Sequence, residues 1–191
     1  MTAVVLFHHT QGLTDGVRAF ADDLRAAGHT VTVPDLFEGR TFPTVRAGME
    51  HAEEVVGMDE VIARGVAAAA GLPTDVVYAG FSMGVLPAQK LAQTRPGARG
   101  ALLLFSAVPA SAFGAWPDGV ALQMHFAADD PWSNEEDLPA ARELARTVAG
   151  AELFVYPGSG HLICDDSLDD YDEAATQLIL ERAIGFLGRR P

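Results

Sequence analysis

The stretch Val76-Val77-Tyr78-Ala79-Gly80-Phe81-Ser82-Met83-Gly84 constrains the fold more than any other part of the chain. An apolar run suited to a buried strand leads directly into Gly-x-Ser-x-Gly. Val85 to Thr94 then has the composition of a helix, so Ser82 falls at a strand-to-helix turn. Such a turn holds its serine in a strained backbone conformation with the hydroxyl projecting, and glycines at 80 and 84 let strand and helix approach with no Cβ between them. The expected result is a nucleophile elbow. A bare Gly-x-Ser-x-Gly is common by chance, so the groups that would activate Ser82 have to be found elsewhere in the chain.

Read in order, the chain alternates strands and helices around this turn. Residues 3–8 form an apolar run, and Asp15 to Ala27 spaces Val17, Phe20, Ala21 and Leu24 helically before Gly28, where a helix C-cap belongs. His29 to Pro34 reads as a second strand. Val45 to Gly71 reads as two helices broken at Gly57-Met58-Asp59, and Asp75 to Ala79 as the third strand. After the elbow helix, Gly100 to Phe105 is an unbroken apolar run of the kind found in a parallel sheet covered on both faces. A loop over 107–118 follows, too short for a separate lid domain. Val120 to Ala127 is a strand, Glu135 to Val148 a helix, and Ala151 to Tyr156 a last strand. A closing helix runs from Leu168 to Leu187, with Tyr171, Ala175, Leu178, Ile179 and Ala183 on one stripe. This alternation predicts one domain over residues 1–191, a doubly wound, mostly parallel α/β sheet with helices on both faces. In such a sheet ligands bind beyond the carboxyl ends of the strands.

A serine nucleophile needs a base within hydrogen-bond reach, and the base needs an acid that fixes its tautomer and stabilises its cation. Two strand ends supply them. One continues as Ala128-Asp129-Asp130-Pro131, the other as Pro157-Gly158-Ser159-Gly160-His161, and both loops lie on the same sheet edge as the elbow. The order Ser, Asp, His is that of an α/β-hydrolase. Asp130 is preferred to Asp129 because a residue before proline is pushed toward an extended conformation, which suits a side chain held across a loop. His161, in a glycine-flanked loop, is the histidine free to reach Ser82. His29 and His51 read as solvated, and His125, inside a strand, as a core side chain with its polar atoms satisfied. Phe37, Phe42, Phe113, Trp116 and Trp132 lie in loops expected at the active edge and are candidates for the wall of a substrate pocket.

Taken together these blocks resemble the dienelactone hydrolase family of α/β-hydrolases. The resemblance rests on His8-His9-Thr10-Gln11-Gly12-Leu13 after the first strand, Val33-Pro34-Asp35-Leu36-Phe37 after the second, the elbow, His125-Phe126-Ala127-Ala128-Asp129-Asp130-Pro131, and Tyr156-Pro157-Gly158-Ser159-Gly160-His161. It implies that Asp130 is the catalytic acid and that the backbone N–H groups of Met83 and Thr10 are the oxyanion donors. The chain departs from the family's founding members at three positions. Ser82 replaces a cysteine, His9 stands where a glutamate holds that cysteine, and Asp165 stands where an arginine binds the substrate carboxylate. Thiol activation is therefore not carried over; His9 and Asp165 are both expected to face the substrate pocket, where Asp165 would repel anionic substrates. Cys164, close to His161 in sequence, reads as small packing.

Composition closes off other classes. With 26 acidic against 13 basic side chains the net charge is −13, which opposes binding to nucleic acid or anionic lipid. The lone Cys164 leaves no internal disulfide. The first residues read as a strand, no apolar run approaches the roughly 20 residues of a membrane helix, and a cytoplasmic setting is expected. The expected protein is a monomer or small homo-oligomer that hydrolyses a small ester or lactone with no cofactor or metal. The alternatives are a thioesterase or other acyl hydrolase, and an inactive homologue that binds a small molecule.

Overall fold

Residues 1–189 are described by the structure, a computed structural model. Its frame is one six-stranded sheet made of β1 (Ala3–Phe7), β2 (Thr30–Thr32), β3 (Val76–Phe81), β4 (Gly100–Leu104), β5 (Ala121–Ala127) and β6 (Glu152–Tyr156). The spatial order is β2-β1-β3-β4-β5-β6, and every neighbouring pair is parallel. The chain runs outward from β1 to β2 and then returns past β1 to β3. The loops after β1 and β3 therefore flank the point where strand order reverses, which is where an open α/β sheet forms its crevice.

Strand alternation builds the core on both faces at once. Val5, Phe7, Tyr78, Leu103, Met124 and Phe126 point to a layer that packs on α3 (Met58–Ala69), α4 (Val85–Thr94) and α5 (Asp137–Thr147). Val4, Leu6, Val77, Ala79, Leu102 and Leu104 point to the other face, covered by α1 (Asp15–Ala26) and α6 (Glu173–Gly188). Burying each such side chain contributes about 1.5–3 kcal/mol. Leu102 lies at the centre of this arrangement with no exposed surface. Leu102→Ala should lower stability by about 2–5 kcal/mol through lost transfer energy and a residual cavity, read as a lower urea midpoint at unchanged slope.

Several boundaries differ from the sequence expectation, each for a local reason. The segment after residue 44 is α2 (Val45–Glu50) running into a π-helical turn, His51–Val56, and it breaks at Gly57, whose φ of 89° suits glycine. The last helix starts at Glu173 and not at Leu168, because the side chain of Asp172 accepts from the Ala175 N–H and caps it there. Tyr171 therefore lies outside the helix and Leu178 faces solvent, and the buried stripe is Ala175, Thr176, Ile179, Ala183, Phe186 and Leu187. His29 and His51 are buried, not solvated. His51 packs against the rings of Phe37 and Phe42, with centroids 5.1 and 4.8 Å away. His125 has no exposure and is satisfied by Tyr156 Oη at 2.8 Å and Gln123 Oε1 at 3.0 Å. No helix among the described residues is long and apolar enough to cross a membrane.

Candidate active site

The elbow forms as the glycines require. A Cβ on Gly80 would sit 2.2 Å from the Gly84 carbonyl oxygen, and one on Gly84 would sit 2.5 and 2.6 Å from the carbonyl oxygens of Phe7 and His8. Only glycine lets strand, turn and the end of β1 close to this separation. Ser82 has a φ of 49°, a left-handed conformation that costs a non-glycine residue roughly 1–3 kcal/mol and is kept only where the surroundings impose it. A second non-glycine residue in this region, Phe105 (φ 65°), follows β4 directly. It is fully buried, donates its N–H to the His125 carbonyl at 2.8 Å, stacks on Phe81 and lies 6.4 Å from the His161 ring. Two strained residues thus adjoin one histidine.

His161 Nε2 lies 2.8 Å from Ser82 Oγ, and His161 Nδ1 lies 2.6 Å from Asp130 Oδ2. The carboxylate can only accept, so Nδ1 carries the proton and Nε2 is left to accept from the serine hydroxyl. Asp130 has no exposed surface and is held by two further donors, the Trp132 N–H at 2.9 Å and Ser133 Oγ at 2.7 Å. Asp129 is exposed, and its own N–H donates to the Gly158 carbonyl. The structure therefore brings Ser82, Asp130 and His161 together and leaves Asp129 outside. The backbone of His161 is held as well, since its main-chain N–H donates to Asp170 Oδ2 at 3.0 Å. Sequence reasoning missed Ser133, Asp170 and Phe105. Asp130-Pro131-Trp132-Ser133 carries a readable signal, an aspartate whose side chain accepts from the N–H two residues on. Asp170 was hidden because its stretch was read as helix.

The donor groups implied by resemblance lie where the turns meet. Met83 and Thr10 are both buried, and the packing of Gly84 against Phe7 and His8 sets the elbow directly on the loop that carries Thr10. The N–H groups of Gln11 and Gly12 turn back onto His9, and among the described residues no loop hydrogen bond is donated by the N–H of Thr10 or Met83.

The wall residues separate into two groups. Trp132 is 43% exposed with its ring 6.3 Å from that of His161, and it borders a groove of about 430 Å³ together with Gln11, Pro43, Thr44, Leu168 and Asp170. Gln11 joins this groove to the loop that carries Thr10, and Trp132 joins it to His161. Phe37, by contrast, is 1% exposed and packs edge-on against His8 beneath the site, so it belongs to the core. Phe42 lies against His51 and Phe37, and Phe113 lies under Lys90 of α4. Trp116 sits at the opposite, amino edge of the sheet, where it donates to the Val120 carbonyl and lines a separate concavity of about 400 Å³. The loop after β4 was expected to stay at the active edge. It instead descends along α4, tied by Gln89 to Val108 and by Gln93 to the carbonyls of Ala110 and Gly114.

His9, with no exposed surface, does not face the groove, and neither does Asp165. It is 2% exposed and accepts from His9 Nε2 (2.8 Å), Thr14 Oγ1 (2.5 Å), and the Ser167 hydroxyl (2.5 Å) and N–H (3.0 Å). Burial pushes its pKa up, but these donors outweigh burial and hold it below the ordinary value. A carboxylate so enclosed and compensated does not repel a substrate in the groove, and the expected discrimination against anions loses its cause. The half-buried carboxyl close to the histidine is Asp137, at the start of α5. Burial raises its pKa to about 6 against the lowering effects of a hydrogen bond with Ser106 and of His161. Cys164 is 3% exposed with its thiol pKa pushed up by burial, so it is protonated packing. Among the described residues no group of three or more His, Cys, Asp or Glu side chains is arranged to hold a metal ion.

Four buried histidines give the protein a pH signature. Burial lowers the pKa of His8 to about 4 and of His125 to about 3, and it lowers those of His9 and His29 as well. Below the unfolded value near 6.5 the unfolded chain binds protons that the folded protein refuses, so stability falls as pH drops, by at most about 1.4 kcal/mol per pH unit for each histidine. Asp137 acts in the opposite sense. Its raised pKa binds a proton in the folded state between about 6 and the ordinary value of 3.8, recovering part of the loss. Urea midpoints at about pH 7 and about pH 5 should therefore differ, the lower pH giving the lower midpoint.

The model of the dienelactone hydrolase family matches residues 1–190. A dienelactone hydrolase-like promiscuous phosphotriesterase from metagenomic libraries superposes with a TM-score of 0.75 at 17% identity, covering 100% of this chain and 87% of the other. A cold-adapted esterase from an Arctic intertidal metagenomic library gives a TM-score of 0.66 at 20% identity, covering 99% of this chain and 82% of the other. At these identities the likeness is one of fold. Among curated protein sequences none matches.

Proposed function

This chain belongs to the dienelactone hydrolase family, and from that membership and the arrangement of its site we propose that it is a serine hydrolase of small esters or lactones, working through an acyl-enzyme. The observation that carries the reading is the relay from Ser82 Oγ through His161 to Asp130, with separations of 2.8 and 2.6 Å, in which the serine occupies a strained left-handed turn.

Ser82 Oγ attacks the carbonyl carbon while its proton passes to His161 Nε2, and Asp130 keeps the Nδ1 proton and stabilises the resulting imidazolium. The carbonyl oxygen becomes an oxyanion held by the N–H groups of Met83 and Thr10, worth several kcal/mol because the turn is fixed before the reaction. Collapse of the tetrahedral adduct breaks the bond to the leaving oxygen, which takes the proton from His161. In a lactone that oxygen stays tethered to the acyl group. Water then repeats the sequence and frees Ser82. The groove of about 430 Å³ beside Gln11 and Trp132 suits a small acyl or alcohol portion.

The test is a panel of small oxygen esters, lactones and thiol esters assayed with purified protein alongside labelling by a fluorophosphonate. Labelling at Ser82 with turnover of oxygen esters supports the reading, faster turnover of thiol esters moves it to a thioesterase, and neither labelling nor turnover leaves a binding protein. A phosphotriester belongs in the panel, since a solved structure of similar fold is a promiscuous phosphotriesterase.

A further inference from the structure

We infer that His9 is a positioning residue, a fixed imidazole bridge that ties the loop carrying His161 to the turn carrying the Thr10 N–H, so that base and oxyanion donor keep their relative placement. The inference rests on the serine-hydrolase reading above and deepens it.

At one end of the ring, Nδ1 accepts from the Gln11 N–H at 3.2 Å. That donor makes Nδ1 the acceptor nitrogen and leaves the proton on Nε2, which donates to Asp165 Oδ2 at 2.8 Å. The His9 carbonyl accepts twice more, from His8 Nδ1 at 2.7 Å and from the Gly12 N–H at 3.0 Å, and His8 Nε2 in turn accepts from Leu36. The peptide units on either side of Thr10 are thus held from three directions, and the orientation of its N–H follows from theirs.

At the other end Asp165 is a junction. It accepts from Thr14, whose hydroxyl also caps α1, and its own N–H donates to the Leu162 carbonyl next to His161. The start of α1 packs flush against it, with a Cβ on Gly16 falling 1.8 Å from Asp165 Oδ1. His9 has no exposed surface and both its nitrogens are engaged, so it cannot reach substrate. Its neutrality also matters, because a cation in this place would oppose formation of the imidazolium at His161, and the Gln11 N–H aimed at Nδ1 excludes that cation.

The two half-bridges can be separated. In His9→Gln the amide nitrogen still reaches Asp165 but the Gln11 N–H loses its acceptor. In His9→Asn the amide oxygen takes the Nδ1 position but falls short of Asp165. Both variants should lower kcat about 10- to 100-fold with KM changed less than about threefold, since misplacing a catalytic group by about 1 Å has effects of that size. The rate of fluorophosphonate labelling of Ser82 should fall in parallel. Measurements are made well below the unfolding midpoint, and Ser167→Ala, which removes a donor to Asp165 at the surface of the network, provides a milder variant with the same signature at smaller size. A lower midpoint with kcat and labelling rate of the folded protein unchanged would make His9 a stabilising contact only and overturn the inference. Absence of labelling at Ser82 in the wild type would overturn the serine-hydrolase reading itself, and the bridge with it.

Discussion

Ser82→Ala is expected to lower kcat for ester hydrolysis by up to about a million-fold, because removing the nucleophile from a serine–histidine unit costs nearly as much as removing the whole unit. The fold should survive. Alanine meets the same left-handed strain at φ 49° as serine, no larger group enters the turn, and the side-chain hydrogen bond lost at this position, among the described residues, is the one to His161. The obvious rescuer is also closed off. Cys164 is 97% enclosed and its thiol pKa is pushed up by burial, so it supplies no thiolate. A kcat within tenfold of the wild type, with an unchanged circular dichroism spectrum, would place the chemistry at another residue.

Asp130→Asn is expected to lower kcat roughly ten-thousand-fold, whereas Asp129→Asn should leave it unchanged within about twofold. Asp130 has no exposed surface and accepts three hydrogen bonds, from His161 Nδ1, Trp132 N–H and Ser133 Oγ. An asparagine there keeps only one oxygen for three donors. Keeping the Trp132 N–H satisfied puts the oxygen at the Oδ1 position and the NH₂ at the Oδ2 position, where it faces both Ser133 Oγ and His161 Nδ1 and forces the imidazole into the tautomer that cannot take a proton from Ser82. Asp129 is exposed, and among the described residues its hydrogen bond to the fold comes from its backbone N–H. The comparison of the two variants on one neutral ester decides the assignment. Equal losses, or a greater loss at 129, would refute it.

Much of this site was legible because its determinants are local. Gly80 and Gly84 flank Ser82 at the spacing an elbow needs, and an apolar run before it and a helical run after it fix the turn's context. The pre-proline aspartate and the glycine-flanked histidine each end a strand, and in a parallel sheet all strand ends share one edge. The pocket wall was less legible. Phe37, Trp116 and Trp132 looked alike as loop aromatics, yet one is core, one lies at the far edge of the sheet and one adjoins His161. Nothing within a few residues of Trp116 announces that Gln89 and Gln93 will draw its loop down α4.

By itself, then, the sequence determined the alternation of strands and helices, the strand-to-helix turn at Ser82, and the order in which Ser82, Asp130 and His161 follow strands that end on one edge of the sheet. These follow from periodicity, glycine and proline, all of which act over a few residues. Only the tertiary structure decided the surroundings of Asp165 and His9. Read as isolated departures, one was an anion in a pocket and the other a lost glutamate. In the fold the two residues, 156 positions apart, meet at 2.8 Å and neutralise each other's cost of burial. A charge in sequence has a sign but no partner, and its effect on a site depends on which donors the folded chain brings within about 3 Å of it.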